Sequence, residues 1–177
     1  STSHASRVPA GRSADLRLVT TLPSKIRNPK DPGSLATLEA LLDGIGSADN
    51  LIYIEHQYLS SRRVVAALGE ALARQAHLEI VMVLNQNPDV TAYRGWQNAR
   101  LLESGILGHP RVGVFTLWTA DARRARTTPR INQVFVHSKV VIVDGQWAMV
   151  GSANLDGVSL DSYGSDFSSA LLRRTVG

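Results

Sequence analysis

The chain has 177 residues, a length that fits one domain at roughly 100–200 residues per domain, and its 44% hydrophobic and 19% charged residues are enough for a packed core and exclude a disordered composition. No apolar run approaches the ~20 residues of a membrane helix, and the absence of cysteine removes disulfides, thiolate zinc sites and a cysteine nucleophile together. Nineteen Lys and Arg against 15 Asp and Glu leave a formal charge of +4, which tilts the choice of partner toward anions.

Residues 1–14 are rich in Ser, Arg, Pro and Gly, lack the apolar centre of a signal peptide and read as a flexible tail or linker. Residues 15–177 then read as a single domain. A short strand is expected over 15–21 and a loop over 22–33, after which Ser34 is placed to cap a helix carrying Leu35, Leu38, Leu41, Leu42 and Ile45 on one face. Strand 51–59, a helix opened by Ser60 and running to about Gln75, strand 78–84, helix 93–104 and strand 112–117 follow. Residues 119–130 read as a loop bearing Arg123, Arg124, Arg126 and Arg130, for which a solvated surface is the ordinary reading and phosphate attraction the sharper one. Strands are expected from there on, including 167–172. Strands separated by helices, closed by an antiparallel hairpin, make this an α/β domain with a mixed sheet flanked by helices.

The chemistry concentrates in residues 134–154, where two β-rich runs meet at Asp144-Gly145, a strong hairpin signal. A two-residue turn there sets Val143 opposite Gln146, Ser152 opposite His137 and Asn154 opposite Phe135, provided no bulge intervenes. His137, Lys139, Ser152 and Asn154 then share one face, while Asp144 falls on the other, at the turn, as a structural residue. A histidine for proton transfer or attack, a fixed positive charge and two neutral donors suit an anionic phosphoryl group. Lys139 stands out further because Lys25 and Lys30 are the only other lysines.

The spacing His-x-Lys-x4-Asp-x6-Gly-Ser-x-Asn, filled by His137, Lys139, Asp144, Gly151, Ser152 and Asn154, resembles the signature of the phospholipase D superfamily, the HKD phosphodiesterases. The run Ile52-Tyr53-Ile54-Glu55-His56-Gln57-Tyr58-Leu59 resembles the strand that opens the C-terminal half of two-motif members, usually written with Asn where His56 stands. The resemblance implies a layered α/β/α domain, the C-terminal half of a phospholipase D. It also implies a metal-free, cofactor-free transfer through a phosphohistidine. His137 takes the acid and base role, Lys139 and Asn154 hold non-bridging oxygens, and Ser152, Glu55 and Gln57 support the phosphate. Asp144 and Gly151 are motif residues of structural kind.

Two departures accompany the resemblance. The family's Asn-Asp-Arg-Ser continuation is replaced by Leu155-Asp156-Gly157-Val158-Ser159, so the partner of His137 falls on Asp166, with Ser165 as the alternative. In addition, none of His4, His56, His77 and His109 is followed two residues on by Lys, so one HKD motif is present where the chemistry needs two. Activity therefore requires a second motif, from a homodimer partner or from an N-terminal half outside this sequence. Phospholipid is the favoured substrate, with an anionic membrane surface as a further partner. A nuclease of the same chemistry, or an inactive half that only binds anionic phosphates, are the alternatives. Nothing in the sequence assigns a compartment.

Overall fold

The computed structural model describes residues 15–22, 34–121 and 130–160. Its centre is a five-stranded mixed sheet of order β5-β4-β3-β8-β9, built from β3 (Leu51–His56), β4 (Glu79–Leu84), β5 (Val112–Phe115), β8 (Lys139–Val143) and β9 (Trp147–Val150). β3, β4 and β5 run parallel, and β8 and β9 add antiparallel partners. Two short antiparallel pairs stand apart from it. β1 (Thr21–Leu22) pairs with β2 (Ser34–Leu35), and β6 (Trp118–Asp121) pairs with β7 (Arg130–Gln133).

Helices α1 (Ala36–Gly46), α2 (Arg62–Arg74) and α3 (Thr91–Glu103) precede β3, β4 and β5. Their apolar stripes, led by Leu38, Leu41, Val64, Leu68 and Leu101, join Ile52, Ile54, Ile80, Met82, Val141 and Val143 in one core. The sheet residues in that core are alternate ones, because side chains alternate across a strand. Ser61 caps α2 through Val64 N at 3.4 Å. At the other end of α2, the Arg111 guanidinium donates to the carbonyls of Leu72 and Gln75, at the end of the helix, and of Leu78, just beyond it.

Several sequence expectations are corrected. Residues 15–20 form no strand, and pairing begins only at Thr21. Leu35, not Ser34, holds the N-cap position of α1, because the helix begins only at Ala36, after the two residues of β2; the Ser34 Oγ still accepts from Ala36 N at 3.3 Å. β3 ends at His56 rather than 59, and Ser61 replaces Ser60 as the cap of α2. The expected 119–130 loop begins and ends in strand pairing, Thr119 with Asn132 and Ala120 with Ile131. A single helical turn, α4 (Gly157–Leu160), stands where strand was expected. Arg123, Arg124, Arg126 and the strand expected over 167–172 lie outside the described residues.

The hairpin register is the correction with consequences for the site. Asp144 (φ 52°) and Gly145 (φ 65°) do form a tight turn, closed by Gln146 N donating to Val143 O at 3.0 Å. Val143 nevertheless pairs with Trp147, so Gln146 is a bulge and the pairing slips by one: Val141 faces Met149 and Val140 faces Val150. Burial explains the slip. The observed register turns Trp147 and Met149 onto the core, where the expected one would have buried Gln146 and Ala148. The ladder stops at Lys139, so strand parity no longer sets Ser152 against His137.

Candidate active site

Lys139 opens β8, opposite His56 of β3, and Gly151 N donates to Lys139 O at 3.1 Å. The residues after β9 do not continue as a strand. They bend back to the end of β3, where Leu155 bridges Leu59 and its carbonyl accepts from Ser60 N at 2.9 Å and Ser61 N at 3.0 Å. The last hairpin bond sets Gly151 beside Lys139, and this return path brings Ser152 and Ala153 to the same wall. Together with His56, Thr37, Met149 and Leu160 they line a cavity of about 540 Å³.

The Lys139 ammonium is nearly buried and donates to Gln57 Oε1 and to His137 O, each at 3.0 Å. Both acceptors are neutral, so the charge is positioned without being cancelled. Burial holds the lysine below its ordinary value, and the nearby Asp156 and Asp89 oppose that shift. Gln57 is itself fixed, its Nε2 donating to Tyr58 Oη at 2.8 Å. Tyr58 Oη donates in turn to Asp89, and its ring stacks on Tyr93 with centroids 4.2 Å apart. Burial, followed by the bond to Asp89, pushes the Tyr58 hydroxyl up to about 12, so it stays a donor at neutral pH.

His137 lies two residues before the strand, with an exposed imidazole stacked against Phe135 at 6.3 Å. Its carbonyl accepts from the Lys139 ammonium, while the residue itself is exposed. Ser152 and Gly151 share the cavity wall with Lys139. A Cβ on Gly151 would meet nothing within 4 Å among the described residues, so packing within the fold does not demand glycine there. Asn154 is half-buried beside the Leu155 bridge, and its Oδ1 is buried without a partner among the described residues. Glu55 is on the opposite face of β3 from His56. Bonds from Ser138 Oγ and, at 2.7 Å, from Tyr53 Oη hold its carboxyl below the usual range, against Ser138 rather than Lys139.

Asp144 serves the fold. Its carboxylate accepts from the backbone N–H groups of Asp49, Asn50 and Leu51 at 2.8, 2.9 and 2.7 Å, tying the hairpin turn to the α1–β3 connection. Burial alone would raise its pKa, but the three N–H donors outweigh it and the carboxyl lies below its usual value. Asp166 and Ser165, the expected partners of His137, lie outside the described residues. Sequence reasoning missed Tyr58, Asp89, Asn85 and Gln97. The available signal was a run of polar residues, Asn85 to Asp89, directly after an apolar strand, and a glutamine on the buried face of α3.

A family model described as cardiolipin synthase, PLD-like domain, matches residues 41–164, well over half of the chain. The chain belongs to the phospholipase D superfamily. Its fold is similar to two solved structures, NucT from Helicobacter pylori and the phospholipase D family member Nuc from Salmonella typhimurium. The TM-scores are 0.50 and 0.48; each is 17% identical and covers 78% of this chain and 83% of the other. No curated protein sequence matches the chain. The mixed five-stranded sheet with its helices is thus the phospholipase D-like α/β fold, and the superfamily's general chemistry is phosphodiester hydrolysis and transfer.

Proposed function

We propose that this phospholipase D-like chain hydrolyses or transfers a phosphodiester through a phosphohistidine, with phospholipid as the substrate. The observation that carries the reading is the Lys139 ammonium, held by two neutral oxygens next to the exposed His137. A phosphodiester oxygen placed at Lys139 supplies an anion in direct contact with this charge, whose hydrogen-bond acceptors among the described residues are neutral. In the first step one histidine nitrogen bonds to phosphorus as the bond to the leaving alkoxide breaks, and the second histidine delivers the proton to that oxygen. In the second step the latter takes a proton from water or an alcohol, whose oxygen displaces the first histidine from phosphorus. Lys139 and Asn154 stabilise the charge on the non-bridging oxygens, an electrostatic contribution of roughly 3 kcal/mol per donor.

The two histidines are His137 and its counterpart in a second motif, supplied by another copy of the chain or by sequence outside it. The matching family carries cardiolipin synthase in its name, and cardiolipin is a phospholipid, which supports the lipid reading. Exposed Phe135, Trp118 and Ile131, on or near the segment leading to His137, also suit an apolar substrate. The test compares phosphatidylglycerol vesicles with a single-stranded oligonucleotide, following headgroup release and strand cleavage at matched diester concentrations. Preferential headgroup release supports the proposal. Preferential strand cleavage replaces it with a nuclease of the same chemistry, and binding of both without turnover replaces it with a phosphate-binding domain.

A further inference from the structure

Asn85 directly follows β4 and is 1% exposed. Its side chain reaches past the end of β3: Nδ2 donates to Gln57 O at 3.2 Å and to Val136 O at 2.8 Å, and Oδ1 accepts from Val136 N at 2.8 Å. Both amide protons are engaged, which fixes the side chain in one orientation. The β3–β8 ladder ends at the His56–Lys139 pair, so the backbone just before β8 has run out of strand partner. Asn85 supplies Val136 with the donor and acceptor that a neighbouring strand would have offered. Gln97 of α3 braces this arrangement, donating to Asn85 O at 3.2 Å and accepting from Leu59 N at 3.0 Å.

We infer that Asn85 is a positioning residue that sets where His137 stands relative to Lys139. Both ends of its amide grip Val136, the residue before His137. Its Nδ2 also grips the main chain of Gln57, whose side chain accepts from the Lys139 ammonium at 3.0 Å. A single buried side chain thereby couples the base of the histidine to the partner of the lysine. The inference rests on the proposed chemistry of His137 and Lys139. It assigns Asn85 no contact with substrate.

The test uses the full chain and compares Asn85→Ala with Gln97→Ala, which weakens the same buried network but leaves the grip on Val136 intact. Thermal unfolding reports the stability of each, hydrogen exchange reports the amides of residues 134–138, and a chromogenic phosphodiester gives kcat and KM. A misplacement of about 1 Å costs on the order of a hundredfold in rate. Asn85→Ala should therefore lower kcat by about that factor with KM nearly unchanged, and accelerate exchange at 134–138 more than within β4. Gln97→Ala should keep kcat within a few-fold at a similar loss of stability. Equal kcat losses in the two variants, or unchanged exchange at 134–138, overturn the inference. Should Asn85→Ala fail to fold, Asn85→Asp keeps an oxygen for Val136 N and removes both donors, and the same comparison applies. A wild-type homodimer without diesterase activity overturns the proposed function instead, and the exchange comparison then decides the role of Asn85.

Discussion

His56 is 3% exposed, its Nδ1 has no partner among the described residues, and it stands opposite Lys139 across the β3–β8 pair. Burial first, and the lysine charge second, depress its pKa from 6.5 to about 3. Below pH 6.5 the unfolded chain takes up a proton that the folded chain refuses until about pH 3, so the unfolded state binds more protons in that window. Stability is fully present above 6.5 and falls as the pH is lowered toward 3. At 1.36 kcal/mol per unit, the whole window corresponds to about 5 kcal/mol, and the step from pH 7 to pH 5 to about 2 kcal/mol. The carboxylates held low by hydrogen bonds, among them Asp144, Asp89 and Glu55, add to the loss with the same sign. Comparison with His56→Asn cancels their contribution. Urea unfolding at pH 7 and pH 5 should show the wild-type chain losing about 2 kcal/mol more than His56→Asn. Equal losses in the two proteins refute the burial argument.

Asp144→Ala frees three backbone N–H groups and places alanine at φ 52°; it should cost about 2 kcal/mol in urea unfolding while leaving the rate per folded molecule unchanged. Gly44→Ala sets a Cβ 2.7 Å from the Trp147 ring, and a lowered thermal midpoint should report a cost of about 1–3 kcal/mol, since the half-buried indole must shift from its place against the core. Lys139→Ala should reduce kcat by about 10²–10³ in the chromogenic diester assay. Saturating EDTA should leave the rate unchanged, and a chelator-sensitive rate would argue against phosphohistidine chemistry without a metal.

The motif residues were legible because they lie within eighteen positions of one another and their types alone define the chemistry. The parallel core was equally readable: Ile52, Ile54, Ile80 and Met82 alternate as half-buried strands do, and α2 shows a clean apolar stripe. The bulge at Gln146 was not read, because Asp-Gly announces a tight turn whether or not a further residue loops out after it. The competing signal lay in Trp147 and Met149, whose bulk made them better core residues than Gln146 and Ala148. Asn85 and Gln97 were harder still. Asn85 grips Val136 across 51 residues of chain, and no local periodicity encodes a side chain standing in for a missing strand. Pairing also replaced loop at Thr119 and Ala120, where the arginine-rich sequence between them and Ile131 outweighed a weak alternation.

The central claim is that His137 takes part in phosphodiester cleavage alongside a second copy of the motif. Light scattering after size exclusion, with a chromogenic phosphodiester assay on the same fractions for wild type and His137→Ala, tests it most directly. The predicted result is turnover in a wild-type species of twice the 19.2 kDa chain mass and none in His137→Ala of the same mass. Undiminished turnover in His137→Ala, or turnover by a wild-type monomer, contradicts it.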